Sequence, residues 1–73
     1  MITVKLFANL RDGREKQYQF LPEGMKTADD IINRLAIPAE EVAILLINGR
    51  HSKPEDTVKD GDLVALFPAS GGG

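Results

Sequence analysis

The sequence predicts an α+β domain in which one mixed sheet of four to five strands packs on a single main helix. Three observations carry this prediction. Apolar residues alternate at period two near both ends of the chain, and one central segment places them at the helical i, i+3, i+4, i+7 spacing. Turn signals then separate these segments in the order strand, strand, helix, strand, strand. With 73 residues, 42% hydrophobic and 27% charged, the chain is apolar enough to fold as one small domain. So short a chain has little room for a deep pocket, which argues against a self-contained enzyme.

From Ile2 to Phe7 the alternation puts Ile2, Val4 and Leu6 on one side and Thr3, Lys5 and Phe7 on the other, the pattern of a half-buried strand. Asp12-Gly13 lies in a charged stretch and reads as a turn. Tyr18 and Phe20 then resume the alternation, completing a hairpin. Pro22 and Gly24 end that strand. Thr27 is placed to cap a helix by accepting a hydrogen bond from an amide near Asp30, and Asp29 and Asp30 suit the positive end of its dipole. Ala28, Ile31, Ile32 and Leu35 form the apolar face, and Pro38 stops the pattern.

Val42 to Ile47 is a nearly unbroken apolar run closed by Asn48-Gly49, which reads as a strand buried on both sides followed by a tight turn. Ser52 to Lys59 is polar, contains Pro54 and reads as an irregular connection. Asp60-Gly61 turns the chain into a last strand over Leu63 to Phe67. This is the element order of the β-grasp fold. In it the first and last strands lie parallel at the centre of the sheet, with the helix over the face carrying Ile2, Val4 and Leu6. The expected organisation is a domain over 1–68 and a flexible glycine tail over 69–73.

Several functions are excluded or disfavoured by composition. The formal charge of −2, with no local basic cluster, gives nucleic acid no surface to bind. No apolar run approaches the roughly 20 residues that span a bilayer, and the amino-terminal stretch lacks a basic region with an apolar signal core. A cytoplasmic protein with no membrane partner is therefore expected. The absence of cysteine removes disulfides, thiolate metal sites and a cysteine nucleophile together. His51 follows the Asn48-Gly49 turn and reads as an exposed loop residue, because no base or metal-ligand partner is legible around it. The pairs Asp29-Asp30 and Glu40-Glu41 suit a helix start or solubility better than acid–base chemistry, since adjacent side chains on a helix diverge.

The carboxyl-terminal segment reads Pro68, Ala69, Ser70, Gly71, Gly72, Gly73. Proline cannot donate to a ladder and glycine has no side chain to pack, so the segment is predicted to leave the sheet as an arm. Six residues extended at ~3.3 Å each reach about 20 Å, enough to enter another protein's active site. The lack of side chains would let the arm run down a channel barely wider than its backbone. A terminal carboxylate is ionised at neutral pH and inert as an acyl donor until activated. Adenylation turns it into a mixed anhydride, from which a sulfur nucleophile can displace the nucleotide and leave a thiocarboxylate. Taken alone, three glycines are equally what a frayed end contains.

The segment Phe7-Ala8-Asn9-Leu10-Arg11, the Asn48-Gly49 turn, and Lys59-Asp60-Gly61-Asp62-Leu63-Val64-Ala65-Leu66-Phe67-Pro68 ending in Gly72-Gly73 resemble the MoaD/ThiS family of ubiquitin-like sulfur carriers. This family comprises the small subunit of molybdopterin synthase, the thiamin-pathway sulfur carrier and related proteins. The resemblance covers essentially the whole chain. It implies a carrier and not an enzyme: a ubiquitin-activating-type adenylyltransferase adenylates the last glycine, using ATP and magnesium while the carrier itself binds no cofactor. A sulfur donor protein then charges the carrier, and a sulfur-accepting synthase or large subunit discharges it. Carried onto this chain, Gly73 bears the acyl-adenylate and then the thiocarboxylate, and Gly72 gives it clearance. The trio Ala69, Ser70 and Gly71 keeps the family spacing with a looser composition than the Pro-Val-Ala common in the molybdopterin branch. Phe67-Pro68 favours that branch, with thiamin synthesis and transfer-RNA thiolation also open.

If Val64 and Leu66 face the helix, Ala65 and Phe67 turn outward beside Phe7 and form an apolar patch. Partner binding is accordingly placed on Phe7, Ala65, Phe67, Pro68, Ala69, Ser70 and Gly71. Arg11 and Arg14 are read as solvated charge that could add ion pairing. Two further readings share the fold: a ubiquitin-like modifier joined through Gly73 to lysines of target proteins, and a plain β-grasp binding module whose tail has no role.

Overall fold

A computed structural model describes residues 1–69. Its elements in chain order are β1 (Ile2–Leu6), β2 (Gln17–Phe20), α1 (Ala28–Arg34), β3 (Val42–Ile47), β4 (Arg50–His51) and β5 (Leu63–Pro68). Short 3₁₀ turns precede β2 and β3, over Ala8–Arg11 and Ala39–Glu41. The five strands form one sheet in the order β2-β1-β5-β3-β4, with β1 and β5 parallel at the centre and every other pair antiparallel. This is the β-grasp architecture expected from the element order.

Alternation explains which side of the sheet is covered. Ile2, Val4 and Leu6 of β1 and Val64 and Leu66 of β5 are fully buried on the helix side, where Ala28, Ile31 and Ile32 of α1 meet them. Register ties the central pair together, with Val4 opposite Val64 and Leu6 opposite Leu66. Four apolar residues outside the strands and α1 also belong to this core: Leu10 from the first 3₁₀ turn, Met25 and Ile37 on either side of α1, and Val58 from the irregular connection.

The helix is held at both ends by local chemistry. Thr27 Oγ accepts from the Asp30 amide at 3.4 Å, and Asp30 Oδ2 accepts in return from the Thr27 and Lys26 amides at 3.1 and 2.8 Å, forming a capping box. Three residues of the connection supply further closure. The Asp29 and Ala28 amides donate to the carbonyls of Pro54 and Asp56, and Thr27 bridges to Thr57. At the other end Ala36 takes a left-handed φ of 56°, which lets the Ile37 and Ala36 amides reach the carbonyls of Ile32 and Asn33 in a Schellman closure. Arg14 closes it from outside, donating to the carbonyls of Leu35, Ala36 and Leu10. It is therefore a half-buried clamp between the first 3₁₀ turn and the helix end, and not the solvated charge its sequence context indicates.

The capping box makes stability depend on pH. The Lys26 amide, then the Thr27 amide, hold the Asp30 carboxyl below the usual carboxylate range. A group whose folded pKa is depressed contributes stability above its unfolded pKa and loses it as pH falls through the folded value. The stability difference between the unaltered protein and Asp30→Asn, measured by thermal unfolding, is therefore expected to be largest near neutral pH and to shrink on acidification. A difference independent of pH would remove Asp30 from the cap.

Two further sequence expectations differ from the structure. The run Val42–Ile47 is not buried on both faces: only Leu45 is buried, while Ala43 and Ile44 are exposed. One helix can cover only one side of a sheet, so the other face of β3 is left open. The register also shifts between Val42 and Ile44, which makes Ala43 an extra residue and turns Ile44 away from the core. Second, the chain does not leave the sheet at Pro68. Pro68 pairs with Val42 as the last residue of β5, and the Ala69 amide donates to the Glu41 carbonyl at 3.1 Å. Pro68 lies beyond the last β1 pair and opposite the β3 bulge, a place where a strand tolerates a missing donor.

Candidate functional site

The residues singled out on the outer face are set by β5 and the end of β1. Phe7 follows β1, with its amide donating to the Leu66 carbonyl at 3.2 Å, so its ring falls beside that of Phe67. The two rings stack with centroids 4.3 Å apart and planes 7° from parallel. Both are half-buried, each covering part of the other, which is how a small domain carries two aromatics on a bare sheet face. Ala65 stands two residues back on β5, half-buried between its partners Lys5 and Leu46.

Three further residues belong to this face, of which Ile44 and Leu46 were not singled out from the sequence as partner contacts. Ile44 is the register partner of Phe67 and is 40% exposed, and Leu46 is the partner of Ala65. Cross-strand partners project to the same side, so Phe7, Ile44, Leu46, Ala65 and Phe67 make one apolar surface. The signal for Ile44 was available in the fold class itself, since a single helix leaves one face of every strand bare. Arg11 is the third. Its Nε donates to the Leu6 carbonyl at 2.7 Å, and its guanidinium carbon lies 5.6 Å from the Phe7 ring centroid, a cation–π distance. The column Arg11, Phe7, Phe67 thus stands immediately before the carboxyl-terminal segment.

The end of β5 opens onto a groove lined by Asn9, Asp12, Arg14, Glu40 and Glu41 together with Pro68 and Ala69. Of these polar side chains Arg14 is half-buried and the other four are exposed. Ser70, Gly71, Gly72 and Gly73, on which the expected chemistry and part of the expected partner contact fall, lie outside the described residues. Among the described residues, no group of His, Asp or Glu is arranged to hold a metal ion. Among the same residues, no helix is long and apolar enough to cross a membrane. His51 is exposed in β4 rather than in a loop.

Comparison with known proteins gives the following. The ThiS family profile matches residues 4–73. No curated protein sequence matches the chain. Among solved structures, SAMP1 from Haloferax volcanii is 25% identical and superposes with a TM-score of 0.75, the match covering 99% of this chain and 98% of that one. A protein assigned as molybdopterin converting factor, subunit 1, from Pyrococcus furiosus is 27% identical with a TM-score of 0.68, covering 92% and 94%. The BexX/CysO complex of Amycolatopsis orientalis contains a chain 26% identical to this one, with a TM-score of 0.66 and complete coverage of both.

Proposed function

This chain belongs to the ThiS family of small ubiquitin-like carriers, and from that premise we propose that it carries sulfur as a thiocarboxylate on Gly73 for a biosynthetic partner enzyme. The observation that supports this reading most directly is the alignment of the family profile through Gly73, placed after a β5 strand whose outer face is apolar. The partner uses the surface and the end separately. Phe7, Ile44, Ala65 and Phe67 dock the domain, while Pro68 and Ala69 fix where the chain departs. Four residues beyond Ala69 span at most about 14 Å. That reach delivers Gly73 into a recessed site without moving the domain.

The chemistry belongs to the partners. In the activating adenylyltransferase, with ATP and magnesium, the Gly73 carboxylate attacks the α-phosphorus and releases pyrophosphate. Sulfide-level sulfur supplied by a donor protein then displaces AMP at the carbonyl carbon and leaves the thiocarboxylate on Gly73. A synthase or large subunit takes the sulfur from the thiocarboxylate, and water supplies the oxygen that restores the Gly73 carboxylate to the cycle. The likeness to a molybdopterin converting factor subunit and the Phe67-Pro68 pair both favour a molybdopterin-type acceptor. The likeness to SAMP1, described among solved structures as a small archaeal modifier protein, supports a second reading in which an amine of a target protein is the acceptor after the same activation.

ATP–pyrophosphate exchange with the activating enzyme tests the shared first step. The unaltered protein is expected to support exchange. Phe67→Asp, which puts a charge into the apolar face, is expected to raise KM by roughly tenfold or more with kcat little changed, because an interface core loses about 1–3 kcal/mol when an anchor is lost. Equal KM values for the two proteins would remove the outer face from docking. Absence of exchange with the unaltered protein would remove activation of Gly73.

A further inference from the structure

Asn48 and Gly49 form the two-residue connection between β3 and β4, with φ of 53° and 80°, the left-handed pair that such hairpins require. Asn-Gly is also the peptide step most open to deamidation, since glycine leaves the following backbone nitrogen unshielded. That nitrogen attacks the Asn Cγ, ammonia departs, and water opens the resulting succinimide to aspartate or isoaspartate. Of the three asparagines, Asn9 precedes Leu10 and Asn33 precedes Arg34, so only Asn48 stands before glycine.

The fold holds this side chain at both ends. Asn48 Nδ2 donates to Asp62 Oδ1 at 2.9 Å, and Asn48 Oδ1 accepts from the Leu63 amide at 2.9 Å. The Asn48 amide also donates to the Leu63 carbonyl at 2.7 Å. Cγ therefore cannot swing toward the Gly49 nitrogen without breaking two hydrogen bonds to the start of β5. Asp62 is itself fixed, since its second oxygen accepts from the Lys59 amide at 2.8 Å.

From this geometry we infer that Asn48 is a gated modification site, unreactive while its side-chain amide bridges Asp62 and Leu63 and deamidated when that bridge opens. The product cannot re-form the bridge. An aspartate at 48 presents a carboxylate oxygen to the Asp62 carboxylate where a donor stood, and two like charges now face each other. Isoaspartate adds a backbone atom to a connection whose two-residue length sets the β3–β4 register. Either change removes the side-chain tie between the β3–β4 turn and the residues that open β5, so each opening event carries a risk of losing that tie irreversibly.

The test follows intact mass on prolonged incubation at mildly alkaline pH. Deamidation adds about 1 Da, whereas isomerisation at Asp12-Gly13 or Asp60-Gly61 adds none. The folded protein is expected to deamidate at least about tenfold more slowly than the same protein in denaturant, with the change mapping to Asn48. Asp62→Ala, which removes the acceptor for Nδ2, is expected to move the folded rate toward the denatured one. If that variant fails to fold, hydrogen exchange of the Leu63 amide in the unaltered protein takes its place, and conditions that speed this exchange must speed deamidation in proportion. Equal rates in folded and denatured protein, a folded Asp62→Ala with an unchanged rate, or deamidation independent of Leu63 exchange would each overturn the inference.

Discussion

Removing Gly72 and Gly73 is expected to abolish transfer through this chain while leaving its domain folded. The core, both helix closures and all strand pairs of the described structure are made within residues 1–69, so the truncation deletes none of them. Its thermal unfolding temperature should stay within about 2 °C of that of the intact protein, as for other changes outside packed contacts. Output should fall to background, because a shortened end leaves the acyl group short of the site that energises it. The same variant discriminates among the readings of this fold. A binding module with an idle tail keeps its partner and its effect. A carrier or a modifier keeps docking through Phe7, Ile44 and Phe67 and loses product. Retention of full output by the truncated protein would end both tail-dependent readings at once.

Leu66→Ala is expected to have the largest effect on stability. Leu66 is fully buried at the centre of β5, opposite Leu6 on one neighbour and Leu45 on the other. The substitution deletes three carbons from a packed site, a loss of about 2–5 kcal/mol where neighbours relax only partly. A domain of this size holds on the order of 5 kcal/mol in all, so much of the variant is expected to be unfolded at ambient temperature. Circular dichroism and denaturant titration would show it. Ala65→Ser, one residue away on the bare face, provides the contrast and is expected to change stability by less than about 0.5 kcal/mol. If the two variants lost equal stability, the assignment of β5 faces would be wrong.

That contrast also shows what could be read in the sequence. Ile2, Val4, Leu6, Val64 and Leu66 alternate cleanly, because each strand has one covered face, and alternation is the direct imprint of that condition. Thr27 and the spacing from Ala28 to Leu35 marked the helix because capping and periodicity are local. Ile44 was misread for the opposite reason. An uninterrupted apolar run does not tell a strand covered on both sides from one whose exposed side is apolar, and the bulge at Ala43 leaves no mark in composition. Leu10 and Arg14 act through a 3₁₀ turn and through carbonyls at the far end of a helix, contacts that no spacing rule anticipates. The outer aromatic pair Phe7 and Phe67 was legible as a shared face; that the rings stack, with Arg11 over one of them, required the geometry.

The identity of the acceptor governs which branch of function the chain serves, and it is accessible in one measurement. Incubated with its activating enzyme, ATP, magnesium and a sulfur source, the protein is expected to gain about 16 Da in intact mass spectrometry, the exchange of one carboxyl oxygen for sulfur, and the fragment carrying the gain should contain Gly73. Recovery of lysine conjugates alone, with no thiocarboxylate under any of these conditions, would contradict sulfur carriage and leave protein modification in its place.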